Sequence, residues 1–590
     1  MPEQAPTVRE TWRRRWARFV EWVEARNWDE GAILMAVGAA IGVSAGLGVV
    51  GFYKLIDGAY FVFAKWLGQR VEPLAHGVTL PLITAAGMLA AWAIVRHTRT
   101  PEGQNVPDVQ RAVAKQGGEI PSRPVVIRTI ASALTLGSGA SAGSEGPVAV
   151  LGATTGSAIG RLFGLRARWV KILVGCGAAA GIAGAFNAPF AGAFFALEEV
   201  LGSFSVGAFS PVVVSSVVGA VTVRSFLGTH PAFAVPTFGE TPAFAIVFLY
   251  PLLGVASGLL SALYVKAYFG ASEVANRIAG PPALVPIIGG LITGAIVVAS
   301  RGLLVGNGHL AIPPEVFGGI AWYLLIALAL AKIVCTAVTL GFGGSGGVFT
   351  PTLFIGAALG GGIGRVMTSV FPGLPLHPQR WAMVGMAGLV AGAARAPLTA
   401  MFMVFELTDD YTIVPALMLV TVLSLYVSRR FVPYGLYDGW LERRGEHLAH
   451  GADRRLLERM RAADAMAHDA PTVEVSATLA TIAATASRAR HSAIPVLEGG
   501  RLAGLIAYED IRDALLHRGD LASVLLAADL ATPVDVVTPG DSLRLALSRM
   551  NARAVDAIPV VDSEEDRRYL GVLSRADLLA AYERELAHEV

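Results

Sequence analysis

The 590-residue sequence has little charge and almost no cysteine. Charged residues make up 16% of the chain and hydrophobic residues 54%, with a mean hydropathy of +0.56. This composition excludes an ordinary soluble globular protein. The two cysteines, Cys176 and Cys335, lie in apolar stretches without a CxxC partner, which argues against a disulfide framework and a zinc site. The sequence contains neither a P-loop lysine motif nor a GxSxG elbow, so no enzymatic activity is expected.

Long runs without charge predict several helices that cross a lipid bilayer. A spanning helix needs about 20 apolar residues, and five runs approach or exceed that length: 31–53, 78–95, 205–223, 243–265 and 413–428. The sequence therefore predicts a multi-pass protein of a plasma or inner membrane.

The first 30 residues form a basic segment ahead of the first apolar run. The sequence RETWRRRWARF places the amino terminus in the cytoplasm by the positive-inside tendency. Its arginines and tryptophans favour an amphipathic helix at the membrane surface over nucleic-acid binding. No removable signal peptide is expected.

The apolar part of the chain contains an internal repeat. TLGSGASAGSEGPVAVLGATTGSAIGR at 135–161 aligns without gaps to TLGFGGSGGVFTPTLFIGAALGGGIGR at 339–365, with 13 identities in 27 positions. The predicted fold is an α-helical membrane domain over 31–440 with an inverted repeat, whose halves cover about 31–230 and 240–440. Transporters built in this way hold their substrate near the midplane, at the interface of the repeats.

The glycine-rich segments in the two repeats are interpreted as breaks in the membrane helices. Each break precedes apolar sequence that can be helical, with Pro147 and Pro351 in the first turn. Broken backbone at membrane depth is tolerated where it lines a cavity or is buried in protein. Two helix amino termini that converge there would present N–H groups and partial positive charge to an anion. The alternative is that the glycines only allow close helix packing.

Two glutamates are present in one repeat and absent from the other. Glu145 aligns with Phe349 and Glu199 aligns with Leu407, whereas Glu198 and Glu406 are paired across the repeats and are predicted to bond to backbone as scaffold. A carboxylate beside a helix amino terminus can occupy an anion site and leave it on protonation. Glu199 is predicted to pass protons between Glu145 and the cytoplasm; a surface position at a helix end is its alternative.

The motifs GSEGP (143–147), GVFTP (347–351) and GQNVP (103–107) resemble those of the CLC family of chloride channels and chloride/proton antiporters. The resemblance extends over roughly residues 30–440 and implies a homodimer in which each subunit has its own pathway. It implies that Glu145 is the gating glutamate and Glu199 the internal proton glutamate. It also implies an anion site formed by Gln104, Asn105, Val106, Gly146, Val348, Phe349 and Tyr437.

Two positions depart from the pattern of this family. Gln104 replaces a serine whose hydroxyl contacts chloride, and Ser144 replaces a Lys or Arg that would attract anions. The glutamate matched by Glu199 is typical of the antiporters, so the resemblance implies a chloride/proton exchanger. The alternatives are a passive chloride channel gated by Glu145 and a membrane sensor of nucleotides.

The chain becomes charged after residue 440, and a second repeat follows a linker at 441–460. AADAMAHDAPTVEV at 462 recurs as AADLATPVDVVTP at 527, and each copy is predicted to form helix, strand, helix, strand, turn, strand, helix. Residues 461–590 resemble a cytoplasmic α/β tandem CBS pair, which implies an adenine nucleotide near Ser574 and Asp577 of the second copy, whereas the first copy keeps only Asp510 and is the weaker site. Asp577 is equally well explained as a helix amino-terminal residue without a ligand. No other cofactor is expected.

Overall fold

The computed structural model describes residues 30–71, 78–98, 100, 105–228, 245–306, 319–444, 457–487, 493–517, 525–553 and 555–588. The predicted amphipathic segment at the amino terminus and Gln104 lie outside the described residues. The chain divides into two compact units, Met1–Leu448 and Ala449–Val590. Each unit has its own hydrophobic core, and the two are described separately.

The first unit is entirely helical in its described part. Eight of the described helices are long and apolar enough to cross a membrane, which agrees with the runs seen in the sequence. Its longer α-helices are α1 Glu30–Tyr60, α2 Thr79–His97, α3 Val106–Lys115, α4 Ser122–Gly137, α5 Glu145–Leu162, α6 Ala167–Phe186, α7 Pro189–Phe195, α8 Val206–Leu227, α9 Tyr250–Asn276, α10 Leu284–Ala299, α11 Trp322–Gly341, α12 Phe349–Val370, α13 Pro378–Ala394, α14 Pro397–Thr408, α15 Val414–Phe431 and α16 Asp438–Arg443.

The predicted breaks and helix starts are confirmed. The segment after α4 is broken until α5 begins at Glu145, and the segment after α11 is broken until α12 begins at Phe349. Pro147 and Pro351 lie in the first turns of these two helices, where a missing N–H leaves no helical bond unmade. The alternative that the glycines serve helix packing alone is therefore wrong for these segments.

The two halves interlock through reciprocal contacts that follow the repeat. The Ser132 hydroxyl lies 2.9 Å from that of Ser345, and the Ser141 hydroxyl lies 3.0 Å from that of Thr336. In the alignment of the two repeats, Ser141 corresponds to Ser345 and, just before the aligned stretch, Ser132 corresponds to Thr336. Each broken segment is thus bonded to the helix that leads into the other broken segment, as a pseudo-two-fold relation requires.

The paired glutamates cap helices across the same interface. Glu406 on α14 accepts the Phe190 and Ala191 N–H groups of α7 at 2.9 and 2.7 Å. Glu198 accepts the N–H groups of Leu398 and Thr399 in α14 at 3.1 and 2.8 Å. The predicted scaffold role of these two glutamates is confirmed, because each one satisfies amino-terminal N–H groups that have no partner within their own helix.

We expect Glu406→Ala to lower stability by about 1–2 kcal/mol, since it removes a cap that accepts two backbone N–H groups. The midpoint of thermal unfolding of the detergent-solubilised protein measures this loss. Glu119→Ala, at an exposed position, serves as the control. Equal midpoints for the two variants would contradict the capping role.

The second unit contains two copies of a small α/β element. The first copy has a sheet of order β1-β2-β3 and the second has the antiparallel pair β4-β5. The elements are a 3₁₀ turn Ala462–Asp464, β1 Val473–Glu474, α17 Leu479–Ala486, β2 Ala493–Glu498, β3 Arg501–Ala507, α18 Tyr508–His517, α19 Ala527–Leu530, α20 Leu543–Arg553, β4 Ala557–Val561, β5 Tyr569–Ser574 and α21 Arg575–His588.

One predicted strand of the second copy is absent. Between α19 and α20 the backbone forms only an isolated parallel bridge from Val537 to Val560. Pro533 and Pro539 flank this segment and have no N–H to donate, so the ladder cannot extend. Val537 is nevertheless fully buried and contributes to the core of the second copy.

The first element of each copy packs into the core of the other copy. Met460, Ala462 and Ala465 lie in the cluster built on β4, β5 and α20, whereas Ala527 lies in the cluster built on β2, β3 and α17. This exchange joins the two copies into one folded body, because neither copy completes its core from its own continuous sequence.

Candidate functional site

A cavity lies where the two broken segments meet. Helices α3, α5 and α12 begin at its wall, so their first N–H groups are available at this point. Five of the predicted anion-site residues line this cavity. The lining consists of Asn105, Val106, Pro107, Gly146, Tyr268, Gly346, Gly347, Val348, Leu436, Tyr437 and Trp440.

The Glu145 carboxylate is bonded to the start of the helix from the opposite half. Its Oε1 accepts the Phe349 N–H at 2.5 Å, and its Oε2 accepts the Thr350 hydroxyl at 2.6 Å. The side chain is only 1% exposed. A negative group therefore occupies the amino terminus of α12, where the helix dipole and free N–H groups bind anions. Phe349 contributes its backbone amide to this contact.

Two glycines provide the space for this carboxylate. Gly143 and Gly347 exchange backbone hydrogen bonds of 2.8 and 2.7 Å, which joins the two broken segments. A Cβ at Gly143 would lie 2.1 Å from Glu145 Oε1, and a Cβ at Gly347 would lie 2.4 Å from the same atom. Any larger residue at these positions requires the carboxylate or the backbone bridge to move.

We expect Gly143→Ala to displace the Glu145 carboxylate and to make anion flux largely independent of pH. The reason is that the carboxylate can no longer occupy the amino terminus of α12 in its ionised form. Anion efflux from liposomes at several pH values measures this change. Gly51→Ala is the matched control, because a Cβ at Gly51 meets nothing within 4 Å. A pH profile like that of the unmodified chain would contradict the steric argument.

Glu199 lies in a wider turn that the other repeat does not share. Residues Ala196–Val200 form a π-helical turn after α7, whereas the equivalent α14 is regular up to Thr408. Such turns are often found at functional sites. The Glu199 side chain is 5% exposed, and Gln110 of α3 donates to its backbone oxygen and its carboxylate. The alternative of an exposed position for Glu199 is therefore wrong.

Tyr437 lies in the wall of the cavity, in a row with two phenylalanine rings. Tyr437 is only 6% exposed. The ring lies edge-on to Phe195, with centroids 6.5 Å apart, and Phe195 lies edge-on to Phe349 at 6.3 Å. A row of packed aromatic rings thus lies beside the cavity.

Sequence reasoning missed Tyr268 and Trp440, which also line the cavity. The Trp440 indole N–H donates to the Tyr268 hydroxyl at 2.9 Å. Tyr268 lies on α9, far from any motif, so no local signal marks it. Thr350 was also missed, although its place in GVFTP puts a hydroxyl in the first turn of α12.

Among the predicted anion ligands, Asn105 has its backbone N–H already bonded. Asp108 Oδ2 accepts that N–H at 3.2 Å, and Asp108 Oδ1 accepts from Arg444 at 3.2 Å. Asn105 therefore has only its side-chain amide to offer an anion. Ser144, which stands in place of a cation, is 4% exposed, and its hydroxyl lies 3.5 Å from that of Tyr53.

The two aspartates predicted to bind a nucleotide, Asp577 and Asp510, make equivalent hydrogen bonds at the starts of their helices. Asp577 Oδ2 accepts the Ser574 hydroxyl at 2.6 Å and the Ser574 N–H at 3.1 Å. Asp510 Oδ2 accepts the Ala507 N–H at 3.3 Å. Each acid thus lies in the first turn of a helix and bonds to the residue three positions earlier, as in a capping arrangement.

The fold is that of a multi-pass membrane protein with a duplicated helical domain and a paired α/β tail. The model of the family described as voltage gated chloride channel matches residues 86–429, and the CBS domain model matches residues 462–517 and 527–584. The chain belongs to this chloride channel and transporter family and carries a CBS pair.

Individual relatives agree with this assignment. A putative chloride channel protein ClcB-like from Ralstonia nicotianae is 33% identical over 396 residues, which cover 66% of this chain and 92% of the relative. The H(+)/Cl(-) exchange transporter ClcA from Yersinia pestis is 28% identical over 416 residues, covering 68% and 85%. A crystal structure of a eukaryotic CLC transporter matches with a TM-score of 0.59 and 22% identity, covering 92% of this chain and 97% of that one.

Proposed function

We propose that this chain exchanges chloride or a similar halide for protons across a membrane. The observation that carries the proposal is the position of the Glu145 carboxylate on the Phe349 N–H and the Thr350 hydroxyl. A carboxylate bonded in this way competes with an anion for the same donors. Protonation removes its charge and frees those donors for an anion. Proton uptake and anion entry are therefore coupled.

Glu199 supplies the proton in this scheme. It is buried, and its carboxylate accepts from Gln110 of α3, the helix whose first residues line the cavity. We propose that a proton passes from the cytoplasm to Glu199 and then to Glu145. The protonated Glu145 leaves the start of α12, an anion takes its place, and loss of the proton returns the carboxylate and expels the anion. The proposed anion route is lined by Asn105, Val106, Gly146, Val348 and Tyr437. Gln104 is proposed to extend this route.

The experiment that tests the exchange uses the full-length chain in liposomes with a chloride gradient and no proton gradient. Exchange predicts that chloride movement drives protons in the opposite direction and so creates a proton gradient. Chloride flux without proton movement would support the passive channel in place of the exchanger. Absence of both fluxes, with nucleotide binding retained, would support the sensor hypothesis.

The arrangement in the cell is also part of the proposal. We propose a homodimer in a plasma or inner membrane, with both termini in the cytoplasm. The basic sequence near the amino terminus supports that orientation. We also propose a transport domain over 31–440, a linker over 441–460 and the CBS pair over 461–590, the last of which biases the transport equilibrium when it binds an adenine nucleotide.

We expect Asp577→Asn to weaken binding of adenosine triphosphate to the full-length protein by about tenfold, the loss typical of one charge-assisted hydrogen bond. Asparagine still caps a helix, so α21 should remain intact. Asp510→Asn is the matched control, because Ala507 replaces the hydroxyl residue in that copy. Titration calorimetry in detergent measures both affinities, and equal affinities would contradict the assignment of the site to the second copy.

A further inference from the structure

Gln110 is a buried amide that contacts Glu199. It lies on α3, one turn beyond the residues with which this helix lines the anion cavity, and it is 3% exposed. Its Nε2 donates to the backbone oxygen of Glu199 at 2.7 Å and to Glu199 Oε2 at 3.2 Å. A backbone carbonyl can only accept, so this contact fixes which end of the amide faces Glu199.

The other end of this amide lacks a partner. Within the part of the chain that the structure describes, Gln110 Oε1 is buried and makes no hydrogen bond. Buried acceptors are nearly always satisfied, so an unsatisfied one at a proton site requires an explanation. Oε1 belongs to the same amide as the nitrogen that already bonds to the Glu199 carboxyl group.

An amide is complementary to a protonated carboxyl group. The acid accepts the amide N–H with its carbonyl oxygen and donates its O–H to the amide oxygen, which makes two hydrogen bonds. An ionised carboxylate has no proton to donate and can make only the first of these bonds. Gln110 already makes the first bond, and its unpartnered oxygen is the acceptor that the second bond needs.

We propose that Gln110 is a positioning residue that holds the proton on Glu199 by forming an acid–amide pair with the protonated side chain. The inference rests on the proposed function of Glu199 as the internal proton site. The proton that reaches the carboxylate becomes the O–H of Glu199 and bonds to Gln110 Oε1. When the proton moves on, Glu199 returns to a carboxylate that keeps the Nε2 contact. No covalent bond to Gln110 forms or breaks.

Three other charged groups interact with Glu199. They are Glu198 beside it in the chain, Asp438 at the start of α16, and Arg395 at the end of α13, which itself pairs with Asp438 at 3.4 Å. Substitution at position 110 leaves all three in place. A change in proton affinity after such a substitution therefore reports on the amide.

The test measures chloride-driven proton flux of the full-length chain in liposomes across a range of pH. Gln110→Leu removes both the Oε1 acceptor of the protonated side chain and the Nε2 donor that also stabilises the carboxylate. The acid–amide pair requires that loss of the acceptor outweigh loss of the donor, so the pH of half-maximal proton flux should fall, by about one unit. Gln110→Glu supplies an acceptor that can share the proton, so that pH should rise by a similar amount. Chloride flux should persist in both variants. Gln116→Leu, at an exposed position near the end of the same helix, is the control.

Opposite shifts distinguish proton positioning from a purely structural role. If both variants lower proton flux at every pH with the midpoint unchanged, the proposal is wrong. If Gln110→Leu does not fold, Gln110→Glu alone decides. A pH of half-maximal proton flux in Gln110→Glu that is equal to or below that of the unmodified chain also overturns the proposal.

Infrared spectroscopy provides a readout that does not depend on transport. The carbonyl band of protonated Glu199, identified by its loss in Glu199→Gln, should change frequency in the Gln110 variants. An unchanged band contradicts the acid–amide pair. A chain that carries chloride without protons contradicts the exchange function instead, and the infrared result then still decides whether Gln110 holds the proton.

Discussion

Glu145→Gln is expected to abolish proton coupling while anion permeation continues. Glutamine is neutral at every pH, so it resembles the protonated acid and cannot be recharged. A neutral amide is a weaker acceptor for the Phe349 N–H than a carboxylate, and its NH₂ group cannot accept the Thr350 hydroxyl, so an anion can displace it from both donors. The side chain therefore no longer competes with an anion as a charge.

Parallel recordings of proton and chloride flux in liposomes test this prediction. Proton flux should fall to the level of protein-free liposomes, and chloride flux should lose its pH dependence. Glu406→Gln is the matched control, because it also removes a carboxylate from the helical unit but keeps an acceptor for the cap of α7. Proton coupling that survives in Glu145→Gln would show that another group exchanges the proton.

Glu199→Gln is expected to lower proton flux by roughly 100-fold, in line with what a positioned proton-transfer group contributes. Anion binding should be nearly unchanged, since Glu199 does not line the cavity at the broken segments. The same flux assay with titration of chloride measures both quantities.

The two variants differ in one respect that separates their roles. Glu145→Gln should alter the pH dependence of chloride flux, whereas Glu199→Gln should leave chloride binding and its site intact. A loss of chloride binding in Glu199→Gln that matched its loss of proton flux would indicate that Glu199 supports the fold of the site and does not carry protons.

Comparison of the two repeats predicted much of the site. The breaks, the helix starts at Glu145 and Phe349, and the scaffold role of Glu198 and Glu406 all follow from aligned positions and from simple rules for helix termini. These features are local in sequence, or are repeated in it, so one chain is enough to detect them. The difference between Glu145 and Phe349 marked the point at which the symmetric scaffold becomes asymmetric.

Other parts of the site depend on contacts between distant segments. Tyr268 and Trp440 meet only because α9 and α16 pack together, and Gln110 meets Glu199 across 89 positions of sequence. No motif or spacing marks these residues. The missing strand beside Val537 has a different cause, since two prolines limit a ladder that the apolar pattern alone predicted.

Anomalous scattering from crystals soaked in bromide tests the central claim most directly. The account predicts that Glu145→Gln binds bromide at the Phe349 N–H and the Thr350 hydroxyl, the donors that the Glu145 carboxylate occupies in the unmodified chain. The unmodified chain at alkaline pH should show no bromide there. Bromide bound at these donors beside an intact Glu145 carboxylate, or absent from them in Glu145→Gln, would contradict the claim that the carboxylate takes the place of the anion.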